Sequence, residues 1–404
     1  MPFRTGRLAA CLTLAACGSA AHAAGYALIE QNASGLGNAY AGQAASAQDA
    51  STIFFNPAGM TMLPDRQVVL AGHLIKPQAE FSGGVTPNIG GGNGGDAGGL
   101  AFVPNAYFAF RLTPDVHLGI GAFAPFGLKT DYDSTWVGRV HAIESELKTI
   151  NVNPSIAWKL NDTLSLGAGV SIQYIEATLT NATGAGLPPV IGAVKGDDYG
   201  WGFNLGLLWK ASERTRFGLA YRSKIDHTLE GDLKMNGAVV VAPVYADVTL
   251  PDSASLSAFH RINDRWDVMA DVSWTSWSRF DVLNVVNAAG VSVTSTPENW
   301  DDTWRVSVGA NWRLNDRLML RGGIAYDETP VSDRYRTARI PDEDRTWLAF
   351  GAQYRLSPQS LIDVGYAHLF VKDARIDELR TPLTLRGEYD SAVDILSVQL
   401  THTF

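Results

Sequence analysis

The chain ends in the stretch 396-LSVQLTHTF-404, and the strict alternation within it decides the fold. The even positions carry Leu396, Val398, Leu400, His402 and Phe404, whereas the odd positions carry only serine, glutamine and threonine. Because successive side chains of a β-strand point to opposite faces, this pattern predicts a strand with one apolar and one polar face. Such a strand fits either a transmembrane barrel or a soluble β-sandwich.

The same alternation recurs along the chain, in pairs of long segments joined by tight turns. Residues 150–160 and 164–174 alternate on either side of Asn161-Asp162, which predicts a long hairpin. Two further hairpins surround Asn263-Asp264 and Asn315-Asp316, with aromatic residues near the strand ends. The recurrence favours the barrel, in which aromatic girdles mark the two membrane surfaces.

The spacing of the turns predicts the number of strands. Tight turns lie near residues 113–115, 161–162, 211–213, 263–264, 315–316 and 357–359. Longer polar or glycine-rich connections lie near residues 81–99, 131–139, 180–196, 229–246, 279–297, 328–341 and 372–388. Six short and seven long connections join fourteen strands, so residues 67–404 are predicted to form an all-β, 14-stranded antiparallel transmembrane β-barrel.

The composition agrees with a barrel and argues against other classes. After the first two dozen residues, the sequence has no run of roughly 20 apolar residues, which each helical membrane span requires. A hydrophobic fraction of 46% is instead spread along the chain, together with 40 glycines. The net charge of −9 argues against a nucleic-acid partner.

Residues 1–23 carry the features of an export signal. Arg4 and Arg7 precede an apolar stretch over residues 8–16, and Ala21-His22-Ala23 forms a cleavage site. A lipoprotein site that would leave an acylated Cys17 is the alternative. Cleavage after Ala23 is preferred and would remove both cysteines, so the mature chain is expected to draw its rigidity from a closed barrel rather than from disulfides.

Residues 24–66, called the hatch below, do not alternate and are rich in small residues, which predicts short helices and turns. Pro57 holds Asn56 out of a steady helix. About forty residues cannot form a core of their own. The low charge of the hatch and its aromatic residues argue against a mobile tail, so we expect the hatch to lie inside the barrel as a plug.

These features resemble the FadL/TodX family of outer-membrane transporters along essentially the whole chain. The resemblance is carried by Ala24-Gly25-Tyr26, Asn56-Pro57-Ala58 and residues 34–37, 275–278, 321–327 and 340–345. A terminal strand that ends in Phe404 also resembles the signature that the barrel assembly machinery of the outer membrane reads. Because family members typically begin the mature chain with Ala-Gly and an aromatic residue, the resemblance favours cleavage after Ala23.

The resemblance implies passive uptake of long-chain fatty acids or other small hydrophobic compounds, with the ligand leaving through a break in the third barrel strand. In this sequence that strand spans residues 116–129 and contains Pro125, Phe126 and Gly127. Pro125 lacks a backbone N–H and Gly127 adds backbone freedom, so both suit a bulge or break. A strand that simply ends near the rim is the alternative.

The candidate substrate-binding or gating residues follow from these motifs. They are Tyr26, Asn56, Pro57, Ala58, Pro125, Phe126, Gly127 and Arg345. The resemblance implies that Tyr26 lies in or beside an inner ligand site, and Arg345 is a candidate partner for a carboxylate or for the acidic residues 342–344. Lys159, Arg305 and Arg313 fall on lumenal faces and are expected mainly as solvated charges, and residues 81–99 and 180–196 are expected to capture ligand outside the cell.

The sequence contains no specific catalytic, metal-binding or cofactor-binding motif. The resemblance implies hydrophobic small molecules, outer-membrane lipid and lipopolysaccharide as partners, and because no strand shows an unusual polar stripe on its lipid face, the expected state is a monomer. Two alternatives stay open at this point. The first is a general porin for polar solutes, against which the hatch argues, and the second is a barrel that serves as scaffold for an enzyme or an adhesin.

Overall fold

In the computed structural model of the protein, residues 25–237 and 239–404 are described, and the predicted export signal lies outside them. Within these residues the chain forms twenty β-strands. They are β1 Arg66–Thr86, β2 Ala101–Thr113, β3 Val116–Phe123, β4 Gly127–Asp131, β5 Glu144–Lys159, β6 Leu164–Ala182, β7 Ile191–Lys210, β8 Thr215–Arg222, β9 Ile225–Met235, β10 Val239–Leu250, β11 Ser253–Arg261, β12 Trp266–Thr275, β13 Val282–Asn287, β14 Ser292–Pro297, β15 Thr303–Arg313, β16 Leu318–Asp327, β17 Arg345–Arg355, β18 Ser360–Val371, β19 Ala374–Arg380 and β20 Leu383–Thr403.

The strands close into one antiparallel barrel. β1 pairs with β2 on one side and with β20 on the other, so the described sheet returns to its first strand. Six barrel strands are each split into two segments, namely β3/β4, β8/β9, β10/β11, β12/β13, β14/β15 and β18/β19. The twenty segments therefore make fourteen barrel strands, which confirms the predicted fold.

The apolar and polar residues that alternate in the sequence lie on the outer and the lumenal face of the barrel wall, respectively. In β5, Ile150, Ile156 and Trp158 are exposed on the outside, whereas Asn151 and Asn153 are buried towards the lumen. An exposed apolar outer face requires lipid around it, and a closed sheet leaves no unpaired edge in that lipid. In the part of the chain that the structure describes, no helix is long and apolar enough to cross a membrane.

Several connections are shorter than the sequence predicts. Residues 229–246, 279–297 and 372–388 were expected to be irregular, but they lie largely in the hairpins β9–β10, β13–β14 and β19–β20. β6 and β7 likewise extend into residues 180–196, and β1 extends to Thr86. The prediction was wrong there because outward positions of these strand ends are polar or charged, for example Glu230 in β9, Ser295 in β14 and Asp377 in β19, so their sequences lack the apolar outer face that marks a strand in lipid.

The hatch folds into short helical turns, as predicted, and β1 already begins at Arg66. The helices are α1 Ala33–Leu36, α2 Gln43–Ser46, α3 Thr52–Phe55 and a 3-10 helix Pro57–Met62. Almost every described hatch residue before Met60 is buried, although the helices are too short to bury one another. The hatch therefore packs on the barrel wall: α1 contacts β17, β18 and β20, and α2 contacts β8 and β11.

Glycines of the lumenal wall allow this close packing. A Cβ atom at Gly323 would collide with the backbone of Asn38, and one at Gly218 would collide with the backbone of Ala44. The Asn38 side chain also donates to the carbonyl oxygen of Ala310 at 2.8 Å. The backbone of the hatch thus lies directly on the backbone of the wall.

We predict that Gly323→Val displaces the hatch, because the added side chain must occupy space held by Asn38 at a cost of about 1–3 kcal/mol. The ion conductance of the protein in planar bilayers should rise. The matched control is Gly322→Val at the next position, where an added Cβ meets nothing within 4 Å. Equal conductance of the two variants, both verified as folded by heat-modifiable gel mobility, would contradict the packing described here.

Candidate functional site

The barrel wall is interrupted between β3 and β4. β3 ends at Phe123 and β4 begins at Gly127, so residues 124–126 leave the ladder. β2 pairs with β3 only as far as Ala106 opposite Ala122, and among the described residues β2 has no pairing with β4. Residues 101–105 of β2 therefore face residues 124–126 without backbone hydrogen bonds between them. We call this feature the wall break.

The wall break is closed on its loop side by the connection between β1 and β2, through residues 92–97. The N–H of Ala97 donates to the carbonyl oxygen of Ala79 in β1 at 3.0 Å, and the carbonyl oxygen of Ala97 accepts from Asp131 N–H of β4 at 3.0 Å. Below, the ladder resumes at the Ala106–Ala122 pair. The wall break is thus a bounded interruption of the wall, not a frayed strand end.

The start of the hatch supplies the hydrogen bonds that the wall break lacks. The N–H of Leu28 donates to the carbonyl oxygen of Pro125 at 2.8 Å, and the N–H of Gly127 donates to the carbonyl oxygen of Tyr26 at 2.9 Å. Ala27 and Phe126 form an antiparallel bridge. Because buried backbone groups need partners, residues 26–28 act as a short substitute strand on the lumenal side.

The side chain of Gln31 joins the two edges of the wall break. Its Nε2 donates to the carbonyl oxygen of Ala124 at 2.9 Å, and its Oε1 accepts from Asn105 Nδ2 of β2, also at 2.9 Å. The backbone carbonyl of Gln31 accepts from the hydroxyl of Tyr107 at 3.1 Å. This completely buried amide therefore bridges a gap that the strands themselves leave open.

Five aromatic rings meet beside the wall break and form the aromatic cluster, which consists of Tyr26, Phe126, Trp277, Phe280 and Trp300. The ring centroid of Tyr26 lies 4.7 Å from that of Trp277, 5.7 Å from that of Phe280 and 5.6 Å from that of Trp300. Phe126 lies 6.1 Å from Tyr26 and 6.2 Å from Trp277. Tyr26 is thus the centre of a cluster in which each ring is at most 7% exposed.

Apolar side chains from several strands surround the aromatic cluster. They include Leu128, Leu147, Ile175, Leu229, Val248, Leu250, Val331 and Ile340. Gly25 has a φ of +61°, and its N–H donates to the Asp342 carboxylate at 2.8 Å. A side chain at Gly25 would collide with Trp277 and Trp300. The start of the hatch therefore occupies this apolar space, and Tyr26 would have to move before another apolar molecule could contact these side chains.

Glu30 is the one charged residue of the hatch near this site. The residue is fully buried, and neither carboxylate oxygen accepts a hydrogen bond from another described residue. Burial raises the pKa of Glu30 from its usual 4.5 to about 7, while the nearby charges of Arg345 and Arg305 lower it by a smaller amount. Glu30 therefore changes its charge close to neutral pH.

The structure brings only some of the candidate residues together. Tyr26, Pro125, Phe126 and Gly127 lie at the wall break, and Arg345 joins them through an ion pair with Asp342, which also holds Gly25. Asn56-Pro57-Ala58 lies elsewhere in the lumen, where Asn56 Nδ2 donates to the carbonyl oxygens of Ala44 and Leu207. These contacts indicate that this motif anchors the hatch to the wall.

Of the other charges named from the sequence, Arg305 is buried and hydrogen-bonded, whereas the side chains of Arg313 and Lys159 are 32% and 31% exposed and form ion pairs. Arg305 donates to the carbonyl oxygen of Ala39 at 2.8 Å, Arg313 pairs with Asp267 at 2.5 Å, and Lys159 pairs with Asp162 at 2.6 Å. In the acidic segment, Asp342, Glu343 and Asp344 pair with Arg345, Arg336 and Lys372 respectively. Among the described residues no group of three or more metal-ligating side chains is placed to hold an ion.

The sequence analysis missed Gln31, Glu30, Phe280 and Trp300. One signal was present, because Glu30-Gln31 is the only pair of long polar side chains in a stretch of small and apolar residues from Ala24 to Gly42. Trp277 lies in a motif that carried the family resemblance, but its role was not predicted. Phe280 and Trp300 are separated from Tyr26 by more than two hundred residues, and only barrel closure brings the three together.

Comparison with known proteins agrees with this architecture. Over 94% of its length, the chain is 33% identical to the outer membrane protein P1 of Haemophilus influenzae, and the match covers 92% of that protein. It is 29% identical to the long-chain fatty acid transport protein of Salmonella typhi, covering 89% of this chain and 90% of that protein.

Solved structures show the same fold. The crystal structure of a Pseudomonas aeruginosa FadL homologue superposes with a TM-score of 0.88 at 28% identity, covering 94% of this chain and 99% of that one. The Pseudomonas putida toluene transporter TodX superposes with a TM-score of 0.67 at 19% identity, covering 88% and 94% of the two chains, and supports the fold alone.

The family model described as outer membrane protein transport protein (OMPP1/FadL/TodX) matches residues 14–404. A match of this extent confirms the predicted family and outer-membrane location, and since the family consists of transport channels, the enzyme alternative is wrong. The chain, with its closed barrel, its internal hatch and its interrupted third strand, belongs to the OMPP1/FadL/TodX family of outer-membrane transport proteins.

Proposed function

We propose that the protein takes up small hydrophobic molecules, either long-chain fatty acids or aromatic hydrocarbons, passively across the outer membrane. The ligand binds at the aromatic cluster after Tyr26 moves away, and it leaves through the wall break into the outer leaflet. Under this proposal residues 1–23 are the export signal, residues 24–66 are the hatch, and residues 67–404 form the barrel of a monomer. The barrel assembly machinery inserts it, and lipopolysaccharide surrounds its outer rim.

The relatives support this range of ligands. The Salmonella relative is a long-chain fatty acid transport protein, and the structurally similar TodX is a toluene transporter. The aromatic cluster and its apolar surroundings suit either class, because binding sites for small apolar molecules are lined mainly by aromatic and aliphatic side chains.

Lateral exit needs no energy source. The sugar layer of the outer membrane resists apolar solutes, whereas hydrocarbon favours them by about 0.8 kcal/mol for each buried CH₂ group. A transporter has only to carry the ligand past the polar layer and release it sideways. Short turns at one barrel end and longer loops at the other are typical of a periplasmic and an extracellular end, which sets the direction from loops to wall break.

One observation carries the proposal: the wall break is sealed by hatch residues 26–31 and not by a neighbouring strand. The same short segment places Tyr26 in the aromatic cluster. A single displacement of the hatch would therefore empty the ligand site and remove the seal of the exit. The filled lumen also argues against a general porin, because buried hatch residues occupy the path that water and ions would take.

We predict that Pro125→Ala lowers uptake, because the new N–H lets the chain extend the β3 ladder and narrow the wall break. In cells that lack their own transporter, uptake of a radiolabelled long-chain fatty acid should fall by about fivefold, with unchanged barrel yield. The matched control is Pro154→Ala, a proline that β5 already accommodates opposite Ile120. Undiminished uptake in Pro125→Ala would remove the wall break from the pathway, and no uptake by the unchanged protein would reject the substrate class.

The buried carboxyl of Glu30 predicts a pH dependence of hatch release. The pKa of Glu30 is about 7 when the hatch is packed in the barrel and 4.5 when the side chain is in water. Between pH 4.5 and 7, Glu30 is therefore protonated in the packed hatch and ionised in a released hatch. The stability of the packed hatch is therefore greatest below about pH 4.5, falls as pH rises to about 7, and is constant above that. The hydrogen-exchange protection factors of residues 26–36, which correct for the intrinsic pH dependence of amide exchange, should fall over this interval. Glu30→Gln should abolish this fall, and the exposed control Glu213→Gln should keep it.

Arg339 offers a test that separates the two ligand classes. Its guanidinium donates to Ser145 Oγ at 3.0 Å and to Asn181 Oδ1 at 3.4 Å, and no described carboxylate lies within ion-pair distance. The neighbouring Ile340 packs beside the aromatic cluster. A fatty-acid carboxylate would therefore meet a half-buried cation whose hydrogen bonds all go to neutral acceptors.

If fatty acids are the ligands, Arg339→Gln should weaken binding of oleate by about tenfold, corresponding to one charge-assisted hydrogen bond. Binding of toluene should be unchanged. The exposed Arg334→Gln in the same loop is the control and should bind both compounds normally. Equal losses for oleate and toluene would indicate a disturbed loop instead of a head-group contact.

A further inference from the structure

A second interruption of the wall lies in strands that do not touch the wall break. Four neighbouring barrel strands each consist of two segments with a short gap between them, namely β8/β9, β10/β11, β12/β13 and β14/β15. The gaps fall at residues 223–224, 251–252, 276–281 and 298–302. Beneath them β8, β11, β12 and β15 are paired in order, and above them β9, β10, β13 and β14 are paired in order.

The interruption is widest between β10 and β13. These strands pair only from Val244 opposite Asn287 to Ala246 opposite Val285. The same register would place Thr249 opposite Val282, but pairing among the described residues resumes only at Ser253 opposite Thr275. Residues 247–252 and 276–284 thus face each other without a ladder, and we call them the seam.

The two sides of the seam differ in length, and the excess chain turns inwards. The longer side contains the 3-10 helix Trp277–Arg279. This turn places Trp277 and Phe280 in the aromatic cluster, against Tyr26 and Trp300. On the shorter side, Val248 and Leu250 are buried in the same apolar surroundings. The inner mouth of the seam is therefore apolar and continuous with the proposed ligand site.

The outer side of the seam is held by a small polar cluster, the latch, consisting of Asp252, Ser276 and Arg279. Arg279 Nε donates to the Asp252 carboxylate at 2.6 Å, and the Ser276 hydroxyl donates to the same carboxylate. The backbone N–H of Ser276 donates to the Asp252 carbonyl oxygen at 3.0 Å. The Arg279 side chain is 41% exposed. The Asp252 side chain is only 7% exposed and also accepts from the Tyr221 hydroxyl, but between the described residues 247–252 and 276–284 a single backbone–backbone hydrogen bond is made, so the latch is a softer closure than a strand ladder.

The seam lies just above the outer border of the hydrocarbon, where the flanking side chains of Lys224, Asp226 and Arg279 are 44%, 61% and 41% exposed. Directly beneath it, β12 and β15 pair Trp274 with Trp304, and Trp304 is exposed on the outer face. Tryptophans on the outside of a barrel mark the border between hydrocarbon and head groups. Val282 on the seam itself is also exposed. A molecule leaving the seam would therefore enter the outer leaflet at its head-group border.

We propose that the seam is a second lateral passage, through which apolar ligands exchange between the aromatic cluster and the outer leaflet when the latch opens. The inference rests on the proposed function. It goes beyond a single exit, because the aromatic cluster contacts both interruptions: Phe126 belongs to the wall break and Trp277 to the seam, and their ring centroids are 6.2 Å apart. Displacement of Tyr26 would give a ligand access to both sides of the barrel.

The direct test is to lock the seam with a covalent link. Both cysteines of the sequence precede Ala24, so a mature chain cleaved there offers a clean background for Thr249→Cys with Val282→Cys. A short bifunctional thiol reagent then joins the two sides of the seam. The matched control is Tyr245→Cys with Val286→Cys, which links the same two strands at a pair that is already in the ladder.

Linking the seam should reduce uptake of radiolabelled oleate by about half or more, since one of two parallel routes is closed, and linking the control pair should leave uptake unchanged. Arg279→Ala, which opens the latch, should raise uptake. Equal uptake with and without the link in Thr249→Cys/Val282→Cys would overturn the second passage. If the unlinked protein transports nothing, the proposed function itself fails, so the two failures are distinguishable.

A binding measurement tests the seam independently of transport. A fatty acid carrying a diazirine, added to the purified full-length protein in lipid nanodiscs, should label residues 277–284 as well as residues 124–128 after illumination. Arg279→Ala should increase the share of label in 277–284. Label confined to 124–128 in both proteins would show that ligand does not enter the seam, and the inference would be rejected.

Discussion

The ladder between β1 and β20 is the interaction on which the rest of the structure depends. It runs from Gln67 opposite Thr403 to Thr86 opposite Thr384 and joins the first strand to the last. In hydrocarbon, an unpaired backbone group costs several kcal/mol, so a sheet in the membrane is stable only when it has no edge. Closure of the barrel gives every edge strand a partner. It also encloses a lumen, and the strands themselves do not fill this lumen. The hatch fills it with short helical turns that have no core of their own and are buried only against the wall.

The same demand for backbone partners explains why the hatch and the wall break form one unit. A wall with a proline at position 125 leaves carbonyl and N–H groups unpaired, and these groups are paired by Tyr26, Leu28 and Gln31 instead of by β2. The seal is built from one short segment of the hatch, residues 26–31, whereas the barrel is closed by ladders that do not include this segment, so we expect the seal to move without unfolding the barrel. The stability of the wall depends on long strand ladders, whereas the seal depends on a few hydrogen bonds. The seal can therefore open at a lower free-energy cost than the wall.

The aromatic cluster connects this seal to ligand binding. Tyr26 contacts Trp277, Phe280 and Trp300, and aromatic pairs of this kind contribute about 0.5–1.5 kcal/mol each beyond the burial of their surface. The hatch is thus held by the same type of contact that a hydrophobic ligand would make, which allows competition between them. Glu30 lies in the same short segment, and burial raises its pKa to about 7, so we expect pH to act on this competition as well. The seam, a second stretch of wall without a strand ladder, contacts the same aromatic cluster.

The sequence by itself determined the closed 14-stranded barrel and its helical hatch, because alternation along strands such as 150–160 is a local consequence of having lipid on one side and a lumen on the other. It also pointed to residues 124–127, because a proline removes a backbone hydrogen-bond donor from a strand and a glycine weakens the strand wherever it occurs. It did not determine the hairpins beyond the lipid, where outward positions such as Glu230 and Asp377 are charged and the apolar outer face that marks a strand in lipid is missing. Only the tertiary structure decided which residues meet: Tyr26 with Trp300, Gln31 with Asn105, and Phe126 with Trp277. Such pairs depend on the register and curvature of a sheet closed over more than three hundred residues, and neither quantity is contained in any local stretch of the chain.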